Sequence, residues 1–346
     1  MRMLMPLRVS RPTPTTALFL GGIVLLAVLI WRVGPVSIGH VLLAVGWTAI
    51  LVPAPHVLQA VGETSGWWLA FSRGSCPVSF ATLLRVNIAV KVVQGVTPSV
   101  SQATELVRIH LLRQAGVPAD LATASVVMAK TTASAGELVF VVLGVGTLAG
   151  SMAIDRASVI GAGVGIGILA LVLVGLLAWQ RVGLFRPLAW LGMRLGLVRG
   201  FLERHGALLA STETLLQDYL VEQRARFLAS GVAYLVSWLL SVVETWVFLW
   251  MLGLQTTIVD ALLIQAWLAL VVRLTAFVPS NIGTLEGGVL MVFAIVGLSP
   301  QAALALALLR RVRQLVWMTA ALAVLPRARR PSSTDPAAEP AGRSLR

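Results

Sequence analysis

Arg273, Glu286 and Arg311 stand in sequence apolar enough to lie in lipid, and Glu286 follows a helix-breaking stretch containing Pro279, Ser280, Asn281 and Gly283. Such a combination is costly unless it has a use. Irregular backbone survives at membrane depth only where protein or a water-filled cavity covers it, and an intramembrane carboxylate marks a functional site by default. The pattern recurs upstream. An offset of 181 positions takes Pro98, Ser99, Glu105 and Gly116 onto Pro279, Ser280, Glu286 and Gly297, and Lys130 onto Arg311. The matches fall on the costly residues, whereas chance would favour Leu and Val.

Each copy also carries a cation shortly before its proline, Lys91 before Pro98 and Arg273 before Pro279, and a glutamate seven residues after it. A helix beginning beyond the proline aims unpaired N–H groups at the break and favours an anion there. Lys91, Arg273, Lys130 and Arg311 could therefore line a path for a phosphate headgroup, with Glu105 and Glu286 meeting a cationic group, a proton or those same bases. A second reading stays open: the charges form buried structural ion pairs and Glu286 complements a helix N-terminus. Arg310 and Arg313 either join the path or pack against polar neighbours.

No other chemistry is indicated. There is no G-x-S-x-G, Walker or H-E-x-x-H motif and no acidic pair with metal spacing, so no catalytic residue, metal or cofactor is expected. The expectation is a protein that is not an enzyme. The lone Cys76 excludes an internal disulfide, and His40, His56, His110 and His205 are scattered without ligand spacing.

The elements that must position these residues follow from composition. The chain is 58% hydrophobic and 12% charged, with a mean hydropathy of +0.89; soluble domains carry about 25% charged residues. The expected fold class is all-α: a polytopic integral membrane protein of about 7–10 hydrophobic segments. Its two pseudo-repeats are expected to be inverted, each with a Pro-tipped re-entrant or broken helix, the plan of many secondary transporters. The net charge of +13 lies in tails and loops, which reads as topology and attraction to anionic lipid rather than nucleic-acid binding.

Along the chain, residues 1–326 read as one membrane domain and 327–346 as a disordered cytoplasmic tail. A first span covers 17–30. The first repeat occupies about 41–150, with a span at 41–61 interrupted by Pro53 and Pro55, an interfacial segment at 62–79 marked by Trp67 and Trp68, and hairpin arms at 80–97 and 99–112. A basic cytoplasmic loop with short interfacial helices is expected at 180–227, and the second repeat at about 228–325, with arms at 259–278 and 280–296. Counting spans places both termini and every large basic cluster inside, as the positive-inside rule requires.

The C-terminal runs Phe277-Val-Pro-Ser-Asn-Ile-Gly-Thr-Leu-Glu-Gly-Gly, Val296-Gly-Leu-Ser-Pro and Ala305-Leu-Ala-Leu-Leu-Arg-Arg-Val-Arg resemble the lysylphosphatidylglycerol synthase transmembrane-region family, also called flippase-like. Glu244-Thr-Trp-Val-Phe-Leu-Trp-Met-Leu-Gly is similar to its branch associated with hopanoid biosynthesis. The first half fits more loosely, with Ser101-Gln102 where small glycines are expected. The resemblance implies a bacterial inner-membrane protein that moves or presents a polar-headed lipid, a hopanoid or an anionic phospholipid. Membrane lipids are the expected partners, with lipid-biosynthesis enzymes as further candidates. A non-catalytic scaffold for those enzymes and an intramembrane lipid transferase are the competing readings.

Overall fold

The computed structural model describes residues 53–72, 76–96, 100–147, 199–275 and 284–324, with isolated positions in 31–48 and 160–175. The tips at Pro98 and at Pro279 to Gly283, the first span and the tail lie outside the described residues. Those that are described form helices and no strand: α1 (Ala54–Leu69), α2 (Phe80–Val96), α3 (Val100–Gln114), α4 (Ala119–Gly146), α5 (Arg199–Glu222), α6 (Arg224–Met251), α7 (Ile258–Leu274), α8 (Thr284–Val296) and α9 (Pro300–Val324). The protein is an all-α membrane protein. Among the described helices, α4 and α6 are long and apolar enough to cross a bilayer. On α6, Val232, Val236, Leu239, Val243, Trp246 and Trp250 recur every three or four residues and are all substantially exposed. An apolar stripe of that length facing outward fits lipid and not water.

The helix ends follow from local sequence. Pro53 and Pro55 start α1 instead of kinking a longer span, because proline is tolerated where the N–H would be unpaired anyway. From there α1 runs without interruption through Trp67, so 62–69 is helix and not a separate interfacial segment. Thr257 and Asp260 form a reciprocal capping box that opens α7. Gly116 and Gly297, equivalent under the offset of 181, both take positive φ (88° and 79°) at the turns leading to α4 and α9, a backbone state that glycine adopts freely.

The repeat is visible in the packing. Helices α2 and α3 pack as one hairpin and α7 and α8 as another. Across the repeats, α2 packs on α9 and α7 on α4, which are equivalent contacts under the same offset. Phe140 near the end of α4 joins the second repeat's core. Its counterpart Ala321 on α9 joins the first repeat's core. The central contact is α1 against its counterpart α6. Gly62 faces Ser237 and Gly66 faces Tyr234, while Gln59 reaches Glu244, so the two helices run antiparallel. Small residues permit that approach. Counterparts that pack antiparallel are related by an axis across the helices, which is the geometry of an inverted repeat.

The central region departs from expectation. In place of short interfacial helices, the 24-residue α5 packs on α4 and buries Leu216 and Tyr219 in the first repeat's core. The Tyr219 hydroxyl donates to Leu69 O at 2.8 Å and Arg226 Nε to Phe71 O at 3.2 Å. Together they satisfy carbonyls that the end of α1 would otherwise leave open.

Candidate functional site

The expected cations are all found in ion pairs inside the helix bundle. On α4, Lys130 Nζ lies 3.4 Å from Glu105 Oε1 on α3. On α9, Arg311 Nη2 lies 2.7 Å from Glu286 Oε1 on α8. These are the same pair under the offset of 181, so the repeat extends to its ionic contacts. Glu286 also stands in the first turn of α8, where the helix N-terminus favours a carboxylate.

Lys91 and Arg273 are not equivalent. The offset takes Lys91 to Val272, and one residue along a helix is about a 100° turn. Lys91 therefore points back within its own repeat and donates to Glu63 of α1 at 2.9 Å. Arg273 crosses to the other repeat, where its Nε donates to Glu137 Oε1 of α4 at 2.6 Å and its Nη2 to Glu137 Oε2.

Further residues join these pairs. Arg108 donates to Glu105 at 3.1 Å and to Asn87 Oδ1 at 3.0 Å. The Asn87 amide in turn donates to Glu63 and Thr64, each at 3.2 Å. One connected network thus runs Lys91, Glu63, Asn87, Arg108, Glu105, Lys130 through the first repeat. In the second, Glu244 accepts from Gln59 Nε2 at 2.8 Å and from Arg313 Nη1 at 2.5 Å. Arg310 has neutral partners, Thr245 Oγ1 and Gln265 Oε1.

Glu63, Thr64, Glu244 and Thr245 were the main omissions from the sequence reading, although a signal was present. The offset of 181 takes Glu63-Thr64 onto Glu244-Thr245, and both threonines are buried (0% and 1% exposed). The adjacent tryptophans drew attention to the interface instead. Only Trp68 is exposed there; Trp67 is buried beneath the Arg108 guanidinium, 5.2 Å from the ring centre.

Among the described residues these separate clusters together hold seven cations (Lys91, Arg108, Lys130, Arg273, Arg310, Arg311 and Arg313) against five carboxylates (Glu63, Glu105, Glu137, Glu244 and Glu286). The two most exposed of these cations are Lys130 and Arg273. The Lys130 side chain is 35% exposed and that of Arg273 36%, and the positive charge of Arg273 acts on Lys130. These are two cations from opposite repeats, near enough for the charge of one to act on the other. Charges so placed are suited to an anion.

A comparison with known proteins decides the relationship. Residues 16–323 match the family model described as the lysylphosphatidylglycerol synthase TM region. The chain belongs to that family. The matched segment includes all nine described helices except the last residue of α9. It is a membrane protein related to the membrane region of a lipid synthase. No curated protein and no solved structure matches the chain.

Proposed function

We propose that this member of the lysylphosphatidylglycerol synthase TM region family moves or presents a polar-headed lipid with an anionic headgroup across the bacterial inner membrane, and that it is not an enzyme. The observation that supports this reading is that Lys130 and Arg273, cations from opposite repeats, are each about one third exposed and act on one another in a bundle whose ion pairs hold more cations than carboxylates. A headgroup phosphate between them would relieve their mutual repulsion. The inverted repeat supports the reading, because rocking one half against the other about a shared site exposes that site to each side in turn. Glu105 and Glu137 hold the two cations when no headgroup is present.

An anionic phospholipid suits the site by charge, and a hopanoid suits it where its polar end is anionic. Both termini are placed in the cytoplasm, as charge distribution favours. The protein's partners are membrane lipids, with lipid-biosynthesis enzymes possible only as suppliers of the cargo. The test is leaflet-resolved lipid analysis in cells lacking the chain, complemented with wild type or with a Lys130→Met, Arg273→Met variant of equal abundance. The wild type restores the distribution and the variant does not. Restoration by both overturns the role of the two cations.

A further inference from the structure

One group of buried polar atoms lies outside the headgroup site. His56 near the start of α1 places Nδ1 3.9 Å from Glu244 Oε2, beyond hydrogen-bond distance, and packs edge-on against Trp317 of α9 at 5.0 Å between ring centres. Among the described residues, His56 Nδ1, Glu244 Oε1 and Trp317 Nε1 are all buried without a hydrogen-bond partner. Buried polar atoms are rarely left so, and three at one place require a reason.

The twin glutamates differ in just this respect. Glu63 receives Lys91 on both oxygens and Asn87 on one of them. Glu244 receives Gln59 and Arg313 on a single oxygen and keeps the other empty. The position equivalent to His56 in the second repeat is Ser237, which donates to Gln59 O at 3.0 Å. Only Glu244 therefore has both a spare oxygen and a neighbouring group able to hand it a proton.

We propose that His56 and Glu244 form the proton-carrying site of this protein and couple lipid movement to a proton gradient; this rests on the transport reading above. The charged groups facing His56 are Glu63 on its own helix, Glu244 on α6, Lys91 on α2 and Arg313 on α9. A proton arriving at the lone pair of neutral His56 Nδ1 gives an imidazolium beside the Glu244 carboxylate. Transfer to the empty Oε1, relayed by one water because the two groups stand beyond hydrogen-bond distance, returns neutral imidazole and leaves Glu244 as the acid. Neutral Glu244 no longer balances Arg313, which leaves the bundle with one more uncompensated positive charge. An anionic headgroup held at Lys130 and Arg273 offsets that charge, so proton and anion enter together, and each alone is disfavoured. One proton travels with one negative charge, and release on the far side restores the Glu244–Arg313 pair.

The experiment uses the full chain in phosphatidylcholine vesicles containing tail-labelled phosphatidylglycerol, with leaflet distribution read by external quenching and internal pH by a trapped dye. With one proton per lipid, a one-unit pH gradient drives a leaflet asymmetry of up to about tenfold, and label movement acidifies or alkalinises the lumen in step. His56→Gln and Glu244→Gln reduce the gradient response to about onefold, while His110→Gln, whose ring lies beside Gln114 outside this cluster, keeps it. Wild-type movement indifferent to the gradient, or a full response in His56→Gln, overturns the coupling and leaves transport standing. Absence of label movement by wild type with and without a gradient overturns the transport reading and the coupling with it.

Discussion

Removing the two partners of the inter-repeat pair Arg273–Glu137 should have unequal costs. The Glu137 side chain is 4% exposed and that of Arg273 36%. Arg273→Met leaves a buried carboxylate without the Nε bond at 2.6 Å and its companion, and stripping one partner from a buried pair costs about 3–5 kcal/mol. Glu137→Leu leaves a guanidinium that can extend its stem toward water or headgroups and still feels the attraction of Glu105. Its loss is that of charged hydrogen bonds, about 1.5–3 kcal/mol. The double variant should cost less than the sum, with a coupling energy on the order of 2 kcal/mol. Unfolding in mixed micelles by SDS titration measures all three. Cys76 in the α1–α2 connection is the chain's sole thiol and supplies the signal. Burial raises its pKa in the folded protein, so a thiol-reactive dye labels it faster once the chain opens. Equal costs for the two single variants, or costs that add within about 0.5 kcal/mol, would refute the view that Glu137 is the buried anchor and Arg273 the mobile arm.

Two further outcomes follow. A side chain at Gly144 would overlap Ala266 where α4 crosses α7, whereas one at Gly146 meets nothing within 4 Å; Gly144→Val should cost about 1–3 kcal/mol by overpacking in the same titration, and Gly146→Val far less. Replacing Arg181, Arg186 and Arg194 of the basic central region by glutamine should leave the lipid distribution of complemented cells at the wild-type pattern if the proposed site in the helix bundle carries transport; a loss equal to that of the deletion would favour the scaffold reading.

Much of this arrangement was legible in the sequence because charge in apolar surroundings is expensive. The offset of 181 sets Glu105 against Glu286, Lys130 against Arg311 and Gly116 against Gly297, as residues kept at such cost tend to be kept in both copies; which glutamate meets which cation is visible only in the packing. Lys91 and Arg273 misled because distance from a proline was matched where helix face decides: a one-residue slip sends Lys91 to Glu63 and Arg273 to Glu137. Glu63 escaped notice beside two tryptophans whose interfacial preference holds for Trp68 alone. The length of α5 was hidden by its polarity, since a helix with one buried face and many charges reads as a loop by hydropathy. Its packing through Leu216 and Tyr219 depends on tertiary contacts that no local window contains. Glu244 and His56 lie 188 positions apart, and only the antiparallel packing of α1 on α6 reveals that they meet.

The proposed function requires the chain to move lipid without altering it. Leaflet-resolved lipid composition, measured together with total lipid chemistry in cells with and without the protein, tests it most directly. Loss of the chain should shift an anionic lipid between leaflets while total lipid chemistry stays the same. A changed lipid structure in whole extracts, or an unchanged leaflet distribution, would contradict it.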